Sequence, residues 1–147
     1  MVAGANQPII GTGVTALVDK LYLDQGNILT VSNGGSLVAT DLISIGRQNS
    51  ISSTSFMRVV SGGSVETDRL FIGDGINEGS VLVDGTGSTL TVNLSTTSSR
   101  MVVGAWGDGE LTVANGGVLS VGAQASLNWA MATLDWPPVY CALVIPV

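Results

Sequence analysis

Ile28-Leu29-Thr30-Val31-Ser32-Asn33-Gly34-Gly35-Ser36-Leu37 is written a second time, nearly residue for residue, at Glu110-Leu111-Thr112-Val113-Ala114-Asn115-Gly116-Gly117-Val118-Leu119. Between the two, Met57–Val65 is a worn copy, and Val81–Leu90 is a variant with one residue inserted between its glycines. Each copy is an alternating apolar run, a glycine turn and a second apolar run. A second punctuation follows most of them, at Leu42–Gly46, Leu70–Gly73, Met101–Gly104 and Val118–Gly122. Self-similarity at a fixed interval is the mark of a stacked repeat, in which no single unit can bury its own apolar face.

Within each copy the side chains alternate as a half-buried strand requires, and the Val and Thr residues suit a pleated surface. Asn and Gly then reach φ > 0 at little cost, where other residues pay about 1–2 kcal/mol, so backbone geometry accounts for the glycines without a ligand. Asn-Gly is also a strong hairpin signal, which sets an antiparallel meander against a coiled solenoid. The intervals decide between them. Gly34 to Gly62 spans 28 residues, Gly46 to Gly73 spans 27, and Gly73 to Gly104 and Gly85 to Gly116 each span 31. Like residues at such intervals stack coil on coil, whereas a meander needs no such recurrence. The expected fold is therefore all-β: a right-handed parallel β-helix (β-solenoid) of repeats about 27–31 residues long. It is divided as an irregular N-terminal segment 1–20, repeats 21–127, and an atypical hydrophobic tail 128–147.

Composition agrees. Apolar residues make up 45% of the 147 and charged residues only 11%, so the chain is neither disordered nor rich in solvated faces. A net charge of −6 argues against a nucleic-acid partner, which needs a basic footprint. No apolar run is long enough for a membrane-spanning segment. Met1–Asn6 has neither the basic nor the long apolar region of a secretory signal. Gly11-Thr12-Gly13-Val14-Thr15-Ala16 spells a dinucleotide fingerprint, but Leu17–Leu23 alternates like a strand where that motif requires a helix, so a glycine turn is expected there.

The stretches Leu29–Leu37 with Leu42–Gly46, Val81–Val92 and above all Met101–Gly122 resemble the glycine-rich repeat of autotransporter passenger domains, a repeat also found in proteins with PEP-CTERM sorting tails. The resemblance covers about residues 21–122. It implies a parallel β-helix exported to the outer membrane or cell surface, with a translocator elsewhere in full-length relatives. It further implies a non-enzymatic adhesin-like role, with host or surface ligands, protein or glycan, as partners.

The tail Asn128–Val147 leaves the pattern. It holds two of the three tryptophans, three of the four prolines and the single cysteine, Cys141. It reads as a cap, a docking segment or a piece foreign to the repeat.

Chemistry has few places to reside. Histidine is missing, which removes Ser-His-Asp and Cys-His arrangements, and Cys141 has no basic neighbour to activate it. The alternatives are a truncated gene fragment without independent function and a carbohydrate-active β-helix using paired carboxylates, with Asp74, Glu78, Asp84 and Asp108 as candidates. All four lie beside glycine, where Asp is a turn former in its own right. Gly-Asp-Gly turns offer calcium only isolated oxygen ligands. No catalytic, cofactor or metal site is expected. Thr30, Thr91 and Thr112 form at most a broken outward rank, and Arg47, Arg58, Arg69 and Arg100, about one per coil, form either solvated edges or a linear binding stripe.

Overall fold

The computed structural model describes residues 7–47, 53–96 and 99–122, and the backbone of 141–144. The described residues contain twelve strands and no helix: β1 (Ile9–Ile10), β2 (Thr15–Leu23), β3 (Ile28–Val31), β4 (Ser36–Ile45), β5 (Ser55–Val60), β6 (Ser64–Ile72), β7 (Gly79–Asp84), β8 (Thr89–Val92), β9 (Met101–Val103), β10 (Gly109–Ala114), β11 (Val118–Val121) and β12 (Cys141–Val144). Every pairing between them is parallel. One sheet runs β1-β3-β5-β7-β10-β12, and the other runs β11-β8-β6-β4-β2 with β9 also on β6. Except for β8 and β9, which both lie in the second sheet, successive strands alternate between the sheets, as a chain wound into coils demands. The expected β-solenoid is the fold.

The turn chemistry explains why Asn-Gly does not make hairpins here. Asn33, Ser61 and Asn115 have φ of 52°, 51° and 49°, and Gly34, Gly62 and Gly116 have 75°, 78° and 82°. Each turn closes on itself through Gly35 N–H to Ser32 O, Gly63 N–H to Val60 O and Gly117 N–H to Ala114 O, at 2.9–3.0 Å. The flanking strands do not pair with each other, because each has a partner with the same apolar pattern one coil away. Tertiary pairing overrides the local signal.

Register turns the repeated letters into columns. Leu29, Met57, Val81 and Leu111 stack, as do Val31, Val59, Val83 and Val113. On the second sheet Leu37, Val65, Leu90 and Leu119 stack, beside Leu21, Ile43, Leu70, Met101 and Leu23, Ile45, Ile72, Val103. These columns are the core, and most members are wholly buried. Each buried Val, Leu or Ile contributes about 1.5–3 kcal/mol. The stacking intervals vary: Thr30 faces Arg58 after 28 residues, Arg58 faces Leu82 after 24, and Leu82 faces Thr112 after 30.

The long strands β2, β4 and β6 turn a corner midway. Inward positions run 65, 67, then 70, 72 in β6, a change of parity that rotates the second half onto another face. β4 carries one extra residue at this corner relative to both neighbours, seen as a register shift between Ala39 and Leu42. In the next coil the two halves are separate strands, β8 and β9.

The glycine pair Gly11 and Gly13 makes the turn into strand β2, as the absence of a helical pattern suggested. Three expectations change. Segment 1–20 is not irregular throughout, since β1 and most of β2 already pair with β3 and β4, which supply the hydrogen-bond partners that the sequence alone does not show. Val118–Gly122 does not continue the Leu42–Gly46 series: it pairs with β8, one face earlier in the coil. In the tail, the backbone of Cys141–Val144 lies parallel to Gly109–Thr112 and extends the first sheet. The tryptophans, the prolines and the Cys141 side chain of that tail, and the boundary at 127, lie outside the described residues.

Candidate functional site

Two outward surfaces gather chemistry. On the first sheet, the register sets Thr54, Glu78 and Asp108 side by side at the strand entrances, because Ser55, Gly79 and Gly109 pair. The next outward column is Phe56, Ser80 and Glu110. Together these residues line a groove of about 370 Å³. Neighbouring strands lie about 4.8 Å apart, so Glu78 and Asp108 sit one strand spacing from each other. The Thr54 hydroxyl donates to Glu78 Oε2, and the Thr112 hydroxyl donates to Glu110 Oε1 at 3.2 Å. Arg58 lies over the Phe56 ring, 5.9 Å from its centroid.

Of the four carboxylates singled out in the sequence, the structure therefore brings together Glu78 and Asp108. Asp84 is elsewhere, accepting from Asn115 Nδ2 of the neighbouring coil at 2.6 Å. Asp74 is on the other sheet's side, accepting from Ser44 Oγ at 3.0 Å. Glu110 was the missed member. Its position two residues beyond Asp108, and so on the same strand face, was the available signal.

Glycines seat these strands. A Cβ at Gly46 would lie 2.7 Å from the Glu78 carbonyl oxygen, and one at Gly73 would lie 2.7 Å from that of Asp108. The second-motif glycines are thus required twice, for φ of 78° and 69° and for the close approach of the next coil.

The second surface lies on the late half of the long strands. Tyr22, Ser44, Phe71 and Val102 form one outward column. Phe71, Asp74, Arg100, Met101, Val102, Ala105 and Trp106 line a cleft of about 290 Å³. Trp106 is 79% exposed. Arg47 covers the Tyr22 ring at 4.7 Å, and its backbone N–H donates to Asp24 Oδ1 at 2.8 Å.

At the corner between the two halves, charges pair across coils. Asp41 bridges Lys20 at 3.4 Å and Arg69, whose Nε donates to Oδ1 at 2.8 Å. The Arg69 hydrogen bonds, with its charge and that of Lys20, hold the Asp41 carboxyl below the usual carboxylate range against a smaller opposing effect of burial. Partial burial pushes the neighbouring Asp68 up, but hydrogen bonds from Ser95 and Ser99 outweigh it and leave Asp68 below its ordinary value.

The threonine rank is broken, as expected, and the arginines form no single stripe. Thr30 and Thr112 share a column with Arg58 and Leu82 between them, while Thr91 lies on the other sheet beside Glu66 and Ser120. Arg58 and Arg69 point from different sheets, so the arginines make no single stripe. Among the described residues no three metal-binding side chains converge. Asn77 is 1% exposed, yet neither polar atom of its side chain has a hydrogen-bond partner. Comparison of the chain with known protein families, with characterised proteins and with solved structures finds no match.

Proposed function

We propose that this chain is a non-enzymatic interaction scaffold, a segment of a surface-displayed, adhesin-like protein of the passenger type. The observation that supports the reading is the make-up of the outward columns. Their backbone spacing is fixed by parallel pairing, yet their chemistry changes at every coil: Thr30, Arg58, Leu82, Thr112 in one column and Phe56, Ser80, Glu110 in the next. A lattice-matching surface repeats one residue, whereas a rigid face with a varied pattern suits a specific partner. Surface display rests on the resemblance of residues 21–122 and is part of the same proposal. The test is retention of the purified chain on host cells and matrix-coated surfaces, compared with a variant carrying Arg58→Ser, Leu82→Ser and Thr112→Ser. Equal retention of both, with unchanged circular dichroism, would remove this face as the binding surface.

A second reading has one observation in its favour, the groove that collects Glu78, Asp108 and Glu110. Paired carboxylates on one groove are what glycosidic cleavage needs. Incubation with a panel of acidic and neutral polysaccharides, read as new reducing ends, decides it. Cleavage by the parent chain that disappears in Glu78→Gln and Asp108→Asn would replace the scaffold reading with an enzymatic one.

A further inference from the structure

We propose that the cleft beside Trp106 is a binding site for a single neutral pyranose ring, the terminal unit of a glycan. The proposal deepens the scaffold reading by naming a ligand class, and it rests on that reading only for its biological setting.

Trp106 is the starting point. A tryptophan 79% exposed adds little to the core, and its backbone is nevertheless held in place. Its own N–H and that of Gly107 both donate to Gly73 O at 3.1 Å, so the turn is tied to the preceding coil. Gly107 packs so closely that a Cβ there would lie 2.2 Å from Gly75 O. The result is a large flat ring displayed from a backbone that is fixed on both sides. Such a ring presents an apolar face together with an indole N–H that seeks a partner, a combination suited to sites that are half dry and half wet.

The rest of the cleft supplies the complement. Phe71, Met101 and Val102 are apolar members of its lining, and Arg100 and Asp74 are the charged ones. Asp74 Oδ2 is held by Ser44 Oγ at 3.0 Å, which fixes the carboxylate and leaves Oδ1 to accept from a ligand. Arg100 offers donors in a planar fork. The two charges oppose one another, so the lining favours neither a cation nor an anion. A chain carrying a net charge of −6 further disfavours an anionic ligand. Volume narrows the choice again, since about 290 Å³ lies at the low end for small-molecule sites and suits one ring. A ring with an apolar C–H face and hydroxyls that both donate and accept at its edge meets every one of these constraints. A neutral hexopyranose is that ring.

Saturation-transfer NMR on the full chain, with the methyl glycosides of glucose, galactose, mannose and N-acetylglucosamine as probes, tests the assignment. Transfer to the ring C–H protons of at least one probe is expected. It should be lost in Trp106→Ala, retained in part in Trp106→Phe, and accompany binding about tenfold weaker in Arg100→Ala. Each variant is checked by circular dichroism. No transfer to any probe, or equal transfer in Trp106→Ala, would overturn the proposal. Cell retention is measured on the same samples. Retention of the parent chain with no transfer to any probe removes the sugar site and leaves the scaffold. Sugar transfer without retention supports the site and removes the adhesive reading.

Discussion

Gly62 and Gly63 are neighbours in one turn, yet replacing each with alanine should have different consequences for different reasons. Gly62 has φ of 78° and open space where its Cβ would go. Gly62→Ala therefore pays only the left-handed conformation, about 1–2 kcal/mol, offset by about 0.4–1 kcal/mol from a stiffer unfolded chain. The net loss should be about 1 kcal/mol. Gly63 is not left-handed, but a Cβ there would lie 2.3 Å from Val31 O and 2.6 Å from Val31 C, both backbone atoms of the coil beneath. Ordinary contact begins at 3.4 Å, so Gly63→Ala must part the coils by about 1 Å. That movement strains the inter-coil bonds Ser64 N–H to Gly35 O and Thr89 N–H to Gly63 O, which now measure 3.0 and 2.9 Å. At about 0.5–1.5 kcal/mol each, their loss totals about 1–3 kcal/mol, before any loosening of the Val31–Val59 column. Thermal melts by far-UV circular dichroism of the parent and both variants should therefore rank Gly63→Ala well below Gly62→Ala. Equal midpoints, or a lower midpoint for Gly62→Ala, would refute the claim that the second glycine serves inter-coil contact and the first serves the turn.

Met57→Ala should remove about 2–5 kcal/mol, because Met57 is fully buried between Leu29 and Val81 in a stacked column that cannot collapse one residue at a time; urea melts measure it. Asn77→Ala should lose less than about 1 kcal/mol in the same assay despite full burial, since the deleted amide makes no hydrogen bond, and a loss near 3 kcal/mol would show that it has a partner. Acid should weaken the fold through Asp41 and Asp68: both folded values lie below the ordinary aspartate value near about 3.9. The stabilisation is thus complete above that value and is lost as pH falls through the lowered folded values. Asp41→Asn should flatten the decline of melting temperature with acid, and an unchanged slope would count against the corner pairs.

The repeated letters were enough to reveal strands, glycine turns and stacking, because every apolar column is the same local pattern written one coil later. Leu29, Met57, Val81 and Leu111 could be aligned on sight, and their burial followed. The lack of histidine in the sequence left no residue for a Ser-His-Asp or Cys-His arrangement within this chain. The sequence could not supply the phase of each copy around the coil. Val118–Val121 and Leu42–Ile45 have similar letters and lie on different faces, since Val118 directly follows a glycine turn and stacks in the column of Ser36, Ser64 and Thr89, whereas Leu42 lies beyond the corner. The same limit hid the grouping of Glu78, Asp108 and Glu110, and split Thr91 from Thr30. Apolar alternation states only which side of a strand faces inward. Which outward side chains become neighbours depends on hydrogen-bond register between segments 21 to 32 residues apart, and that register exists only once the coils are stacked.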